Sequence, residues 1–104
     1  MARVRWTLTA QDDLLEIGGF VARDSPVYAV DAVERLVAAV DLLESHPEIG
    51  RVVPEYGRKD LREIVRGSYR IVYLVREDGL FVVRIVHGAQ DFRRVVGDPE
   101  SEVP

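Results

Sequence analysis

A chain of 104 residues with 47% hydrophobic and 31% charged side chains has the size and balance of one globular domain and is not a disordered polymer. It holds no cysteine and only His46 and His87, which excludes a disulfide scaffold, a thiolate zinc site, a cysteine nucleophile and a multi-histidine metal centre. The net charge of −4 argues against indiscriminate nucleic-acid binding, and no apolar run resembles a signal peptide or membrane span, so the expected location is the cytoplasm.

Val4 to Leu8 alternates and is β-prone, which predicts a short first strand. Thr9 is then placed to cap a helix, with Asp12 three residues on as a capping partner. Ala10, Leu14, Ile17 and Val21 form one stripe of that helix. Gly18-Gly19 weakens it, by up to ~1 kcal/mol per glycine relative to alanine, but leaves room for a second helix to come close. Ser25-Pro26 supplies the N-cap and first residue of that second helix, whose stripe runs through Ala29, Val33, Leu36, Val40 and Leu43. His46-Pro47 ends it. So short a link makes the two an αα-hairpin.

Pro47, Gly50, Pro54 and Gly57 punctuate a long surface loop that reaches Asp60. Three strand-like runs follow, Leu61–Arg66, Tyr69–Arg76 and Leu80–His87, joined by Gly67-Ser68 and by the turn Glu77-Asp78-Gly79. The fold expected is α+β: a short N-terminal strand, an αα-hairpin, then an antiparallel β-meander with the helices packed on one face. One domain spans residues 1–96, with a short turn or helix between Gly88 and Val96. Residues 97–104 are a polar C-terminal tail expected to fray.

Charge is distributed unevenly along this order. Residues 1–56 carry five arginines against ten acids, whereas residues 57–96 carry eight arginines and Lys59 against five acids. In Tyr69–Arg76, alternation sets Arg70, Val72, Leu74 and Arg76 on one face and Ile71, Tyr73 and Val75 on the other. In the last strand it groups Val82, Arg84 and Val86 against Phe81, Val83, Ile85 and His87. A sheet covered on one side should hold its arginines on the open side, so Arg62, Arg66, Arg70 and Arg84 are candidates for one basic patch. Each could equally be a solvated strand residue paired with an acid such as Glu63 or Glu77. His87, at a strand end, has the pKa range of a general acid or base, and could equally be bonded to backbone. Tyr69 and Tyr73 fit core or rim aromatics. No phosphate-cradling loop or paired-carboxylate motif is present.

The run Leu61-Arg-Glu-Ile-Val-Arg-Gly-Ser-Tyr-Arg-Ile-Val-Tyr73, a charged turn, and Val82-Val-Arg-Ile-Val-His-Gly-Ala-Gln-Asp-Phe92 together resemble the RelE/ParE toxins of bacterial type II toxin–antitoxin systems. Trp6-Thr-Leu-Thr-Ala-Gln-Asp-Asp-Leu14 and Pro47-Glu-Ile-Gly-Arg51 agree with the same pattern, so the resemblance spans residues 3–96. It implies a growth-inhibiting toxin neutralised by a cognate antitoxin, forming a hetero-oligomer with it. RelE-like members cleave mRNA on the ribosome, and ParE-like members act on DNA gyrase without being nucleases.

Arg70 falls where RelE-like enzymes place a catalytic arginine, and His87 lies near where some relatives carry a catalytic histidine. The chain departs from the RelE-like pattern in its single lysine, its pI near 5.1 and the lack of any tyrosine after Tyr73. A negative protein is poorly suited to the polyanionic ribosome. The ending His87-Gly-Ala-Gln-Asp-Phe92 is closer to ParE-like chains, so gyrase is the expected target, with ribosome and mRNA as the alternative and a non-toxic antitoxin-binding protein as the second. Arg62, Arg66, Arg70 and Arg84 are then the expected target-binding residues. The stripe Val33, Leu36 and Val40, with free strand edges, is the expected antitoxin seat. No metal or cofactor is expected.

Overall fold

A computed structural model describes all residues, 1–104. Strand β1 (Arg3–Trp6) leads into helix α1 (Leu8–Ala22) and helix α2 (Pro26–Asp41), which ends in a single 3-10 turn at Leu42–Glu44. Four strands follow, β2 (Arg51–Val52), β3 (Leu61–Arg66), β4 (Tyr69–Arg76) and β5 (Gly79–His87), and then helix α3 (Phe92–Val96). The sheet order is β1-β5-β4-β3-β2, with β1 parallel to β5 and the other pairs antiparallel. The α+β architecture and the αα-hairpin on a meander are as the sequence predicts. No helix is long and apolar enough to cross a membrane.

Local chemistry explains the boundaries. Thr7, not Thr9, caps α1: its side chain accepts from the Ala10 amide and its hydroxyl donates to the Val83 carbonyl, tying the helix start to β5. Ser25 caps α2 by accepting from the Tyr28 amide, with Pro26 first in the helix. A Cβ on Gly18 would lie 3.2 Å from Val33, so glycine there does let the two helices close up. The long loop contains a strand that the sequence reading did not separate. Only Arg51 and Val52 pair, opposite Glu63 and Arg62.

Hydrophobic clusters lie on both faces of the sheet. Ala10 and Ile17 of α1 and Leu36, Ala39 and Val40 of α2 meet Ile64, Ile71, Tyr73, Leu80, Val82 and Ile85 on the first face. On the second, Val72, Leu74, Val83 and Val86 are covered by Phe92 and Val96 of α3 and by Val103. The second face is therefore not the open side that the sequence reading assigns to it. The tail lies against this face as well: Pro99 is buried and Val103 packs against that second cluster.

A β-bulge corrects the alternation expected for β5. Val72 pairs with Arg84 and Tyr73 with Val82, so Val83 has no partner. The extra residue returns Arg84 to the face of Val83 and Val86, while Val82 and Ile85 both point at the helices.

Candidate functional site

Arg70 is the most constrained of the candidate residues. Its guanidinium donates two 2.8 Å hydrogen bonds to Glu55 and two further bonds to Glu63, one of them 3.0 Å. It also lies flat over Phe92, with Cζ 3.7 Å from the ring centroid. Glu63 is wholly buried and additionally accepts from Arg51 at 2.8 Å. The bonds from Arg70 hold the Glu55 carboxyl down at about 2, and the two acids in turn raise the Arg70 pKa. Two arginines and two carboxylates thus close a neutral network. The expectation of an outward, solvated Arg70 is overturned, because its side chain is only 17% exposed.

His87 stands on the opposite face. It pairs with Tyr69, whereas Arg70 pairs with Val86, and adjacent strand residues point to opposite sides. The His87 ring meets Tyr69 edge-on at 5.3 Å between centroids and is exposed to solvent. Its Nδ1 accepts from the Ala89 amide at 3.0 Å, which places the proton of the neutral ring on Nε2. Arg70 and His87 therefore cannot meet one scissile phosphate: the sheet lies between them.

The four-arginine patch does not assemble either. Arg62 and Arg66 pair with Tyr73 and Tyr69 and so belong to the helix side, while Arg70 and Arg84 belong to the second face. Arg62 donates to the carbonyls of Lys59 and Gly50. Arg84 reaches round the β5 edge to Asp13 of α1, with bonds of 2.8 and 2.9 Å. Asp13 also accepts from the Ile85 amide at 2.9 Å, satisfying the β5 edge beyond the point where β1 stops. Arg66 alone of the four is exposed, and it makes no ion pair.

The expected antitoxin seat is corrected too. Leu36 and Val40 are 3% and 1% exposed within the helix–sheet core, and Val33 is packed toward Gly18 between the helices. Burial of Leu36 and Val40 contributes roughly 1.5–3 kcal/mol each to folding and takes those two out of any docking surface, while Val33 is half-buried. What the hairpin does expose is Leu15 and Phe20 of α1 and Val27, Tyr28 and Val30 of α2. Glu55 and Phe92 are partners that sequence reasoning missed, whereas Glu63 is one of the acids it offered as a partner for these arginines. For Glu63 a signal existed: it shares a face with Leu61, and a carboxylate on an inward face needs a cation.

No group of three or more His, Asp or Glu side chains is placed to hold a metal ion. A family model described as the ParE toxin of the type II toxin–antitoxin system parDE matches residues 4–92. The chain is 36% identical over 97 residues to the Y4kP protein of Sinorhizobium fredii, covering 90% of this chain and 96% of that one. It is 37% identical over 91 residues to toxin RelE2 of Caulobacter vibrioides, covering 86% and 99%. Among solved structures, a chain from the chromosomal ParDE toxin–antitoxin system of P. aeruginosa superposes with a TM-score of 0.68 over 84% of this chain and 96% of its own, at 24% identity, which shows a common fold.

Proposed function

Because the chain belongs to the ParE toxin family of type II toxin–antitoxin systems, we propose that this toxin arrests growth by acting on DNA gyrase and does not cut mRNA. The observation that carries the reading is the separation of Arg70 and His87 on opposite faces, with Arg70 already neutralised by Glu55 and Glu63. Ribonuclease chemistry needs a free cation for the phosphate and a proton-transfer group beside it. In this chain the arginine that the resemblance marks is not free, and His87 does not stand beside it. The acidic net charge argues the same way against docking on the ribosome.

A cognate antitoxin is the second element of the proposal, and with it a hetero-oligomer. The exposed apolar residues of the αα-hairpin, Leu15, Phe20, Tyr28 and Val30, are the surface it would cover. The outer edge of β3 beyond Glu63, which the two-residue β2 leaves unpaired, is available to an added strand. The cytoplasm is where both partners would be met.

The test is direct. Purified toxin added to gyrase should inhibit supercoiling of relaxed plasmid, and arrested cells should filament with intact mRNA. His87→Gln should leave that toxicity unchanged. Ribosome-phased mRNA cuts, with toxicity lost in a folded His87→Gln protein and gyrase unaffected, would overturn the gyrase reading. For the antitoxin, Leu15→Asp with Phe20→Asp should abolish co-elution with the adjacent gene product on size exclusion; undiminished co-elution would move the antitoxin elsewhere.

A further inference from the structure

The C-terminal segment is fastened at three points across the second face of the sheet. Gly97, at φ 56°, turns the chain out of α3, and the Tyr56 hydroxyl donates to its carbonyl at 2.6 Å. One oxygen of Glu100 accepts from Arg58 at 3.0 Å and from Arg76 at 2.8 Å. Glu102 accepts from the amide of Thr9, in the first turn of α1, at 3.1 Å and from the Thr9 hydroxyl. Between the first two points Pro99 is buried, and just after the last Val103 lies on the second apolar cluster.

The receptor for this segment is built without it. Asp60 holds Arg58 through bonds of 3.0 and 2.8 Å and approaches Arg76 at 3.4 Å, so both guanidinium groups stay aimed if Glu100 leaves. The first turn of α1 is fixed by the Thr7 cap, independently of Glu102. Two arginines against one aspartate then leave a positive rim beside apolar seats. The Glu100 fastening is a pair of solvent-facing ion pairs, individually weak and screened by salt, and those at Gly97 and Glu102 are single-residue hydrogen bonds at the surface.

We propose that this groove is a peptide-binding site for an acidic segment of another protein, with two carboxylates two residues apart and an aliphatic residue just after, and that residues Asp98–Val103 occupy it in cis as a resident competitor. The Arg58–Arg76 pair reads the first carboxylate, the Thr9 amide the second, and the seat of Val103 the aliphatic side chain. The inference stands whether gyrase or another molecule is the toxin's target. A cis competitor lowers apparent affinity by the fraction of time it is detached, so a tail open about a tenth of the time masks the site about tenfold.

A fluorescent peptide with the sequence of residues 98–104 tests this in trans on the full-length chain. Fluorescence anisotropy should show it binding Glu100→Gln/Glu102→Gln about tenfold more tightly than wild type, in line with the masking above. Binding should weaken with added salt and disappear when Arg58→Gln and Arg76→Gln are added. A scrambled peptide of the same composition should not bind. Equal binding to wild type and to the released variant, binding that survives loss of both arginines, or no binding at all would overturn the proposal. Amide exchange on the wild-type chain gives a second readout that needs no variant. Val103, whose amide donates to the Glu100 carbonyl, and Thr9 should lose protection with salt while β4 does not. Loss of protection in step with β4 would rule out a detachable tail.

Discussion

Arg70 and Glu63, diagonal neighbours on β4 and β3, form an ion pair in which the acid is fully buried, and together they are the two inner members of a chain running from Glu55 to Arg51. The guanidinium also seats α3, because Phe92 packs under its flat face. A strand arginine that sequence pattern assigns to a binding surface is thus the residue that joins the loop, the sheet and the last helix.

Arg70→Ala should therefore destabilise the fold, contrary to what an outward strand position would give. Removing one partner of a buried pair strands the other, at a cost of about 3–5 kcal/mol when nothing else compensates. Arg51 still reaches Glu63, so about 2–3 kcal/mol is the expected loss, enough to lower Tm by more than ~10 °C in a domain of this size. Urea unfolding measures it directly. A loss below ~0.5 kcal/mol, typical of free surface residues, would show that the network contributes nothing.

The same network sets the acid stability. Glu55 has its carboxyl held at about 2, below its ordinary value of 4.5, chiefly by hydrogen bonds from Arg70. A depressed folded-state pKa means the unfolded chain binds the proton first. The contribution is present above about pH 4.5 and is lost as pH falls from there toward 2. Asp60, Glu100 and Glu102 are lowered too, the first two by hydrogen bonds from Arg58 and the third by those from Thr9, so they act in the same direction. Urea midpoints for the wild type should fall steeply through that window. In Glu55→Gln the fall should be visibly shallower, and parallel curves would remove Glu55 from the acid response.

The parts of the fold legible in the sequence are those that local patterning determines. Ser25-Pro26, the stripe from Ala29 to Leu43 and the turn at Gly79 each contain their own instruction, and the αα-hairpin and meander follow from them. What was not legible depends on residues far apart in the chain. The β5 bulge at Val83 is one such feature, and beside it Asp13, 71 residues before Arg84, takes the Arg84 guanidinium and the Ile85 amide together. The grouping of Arg62, Arg66, Arg70 and Arg84 fails for another long-range reason: Arg62 and Arg66 pair with Tyr73 and Tyr69 across β3 and β4, which sets them on the helix side and Arg70 on the other. The docking of the tail is illegible for the same reason, because Glu100 and Glu102 find their partners in distant elements, Arg58 and Arg76 for one and Thr9 for the other.

Asp13→Ala should accordingly cost more than its place in the first helix suggests. It leaves the Ile85 amide without its acceptor and strips Arg84 of its carboxylate, leaving it only the Val95 carbonyl, a loss of roughly 2–4 kcal/mol. Asp13→Asn keeps an acceptor for the amide and should recover part of the loss. The specific signature is local: amide exchange at Ile85 should accelerate more than at Ile71, its partner one strand further into the sheet interior. Uniform acceleration would mean that Asp13 supports the fold only in general.

Gly50 and Tyr73 make the last testable pair. The Tyr73 ring is wholly buried, and its hydroxyl accepts from the Gly50 amide at 2.9 Å, just before β2 begins. Burial raises the Tyr73 pKa, which keeps the hydroxyl neutral and in place. A Cβ at position 50 would come within 2.6 Å of both the Glu63 carbonyl and the Tyr73 hydroxyl, closer than real Cβ atoms approach. Gly50→Ala must therefore push the loop off β3, and with it Arg51, which pairs with Glu63. Tyr73→Phe is milder: it leaves one buried amide unsatisfied, at about 1–3 kcal/mol, without moving the backbone. Urea unfolding should rank Gly50→Ala as the more damaging, and only Gly50→Ala should also speed amide exchange along the Arg51–Glu63 pairing. If Gly50→Ala is tolerated with that pairing intact, the loop is not clamped between Tyr73 and Glu63 as described.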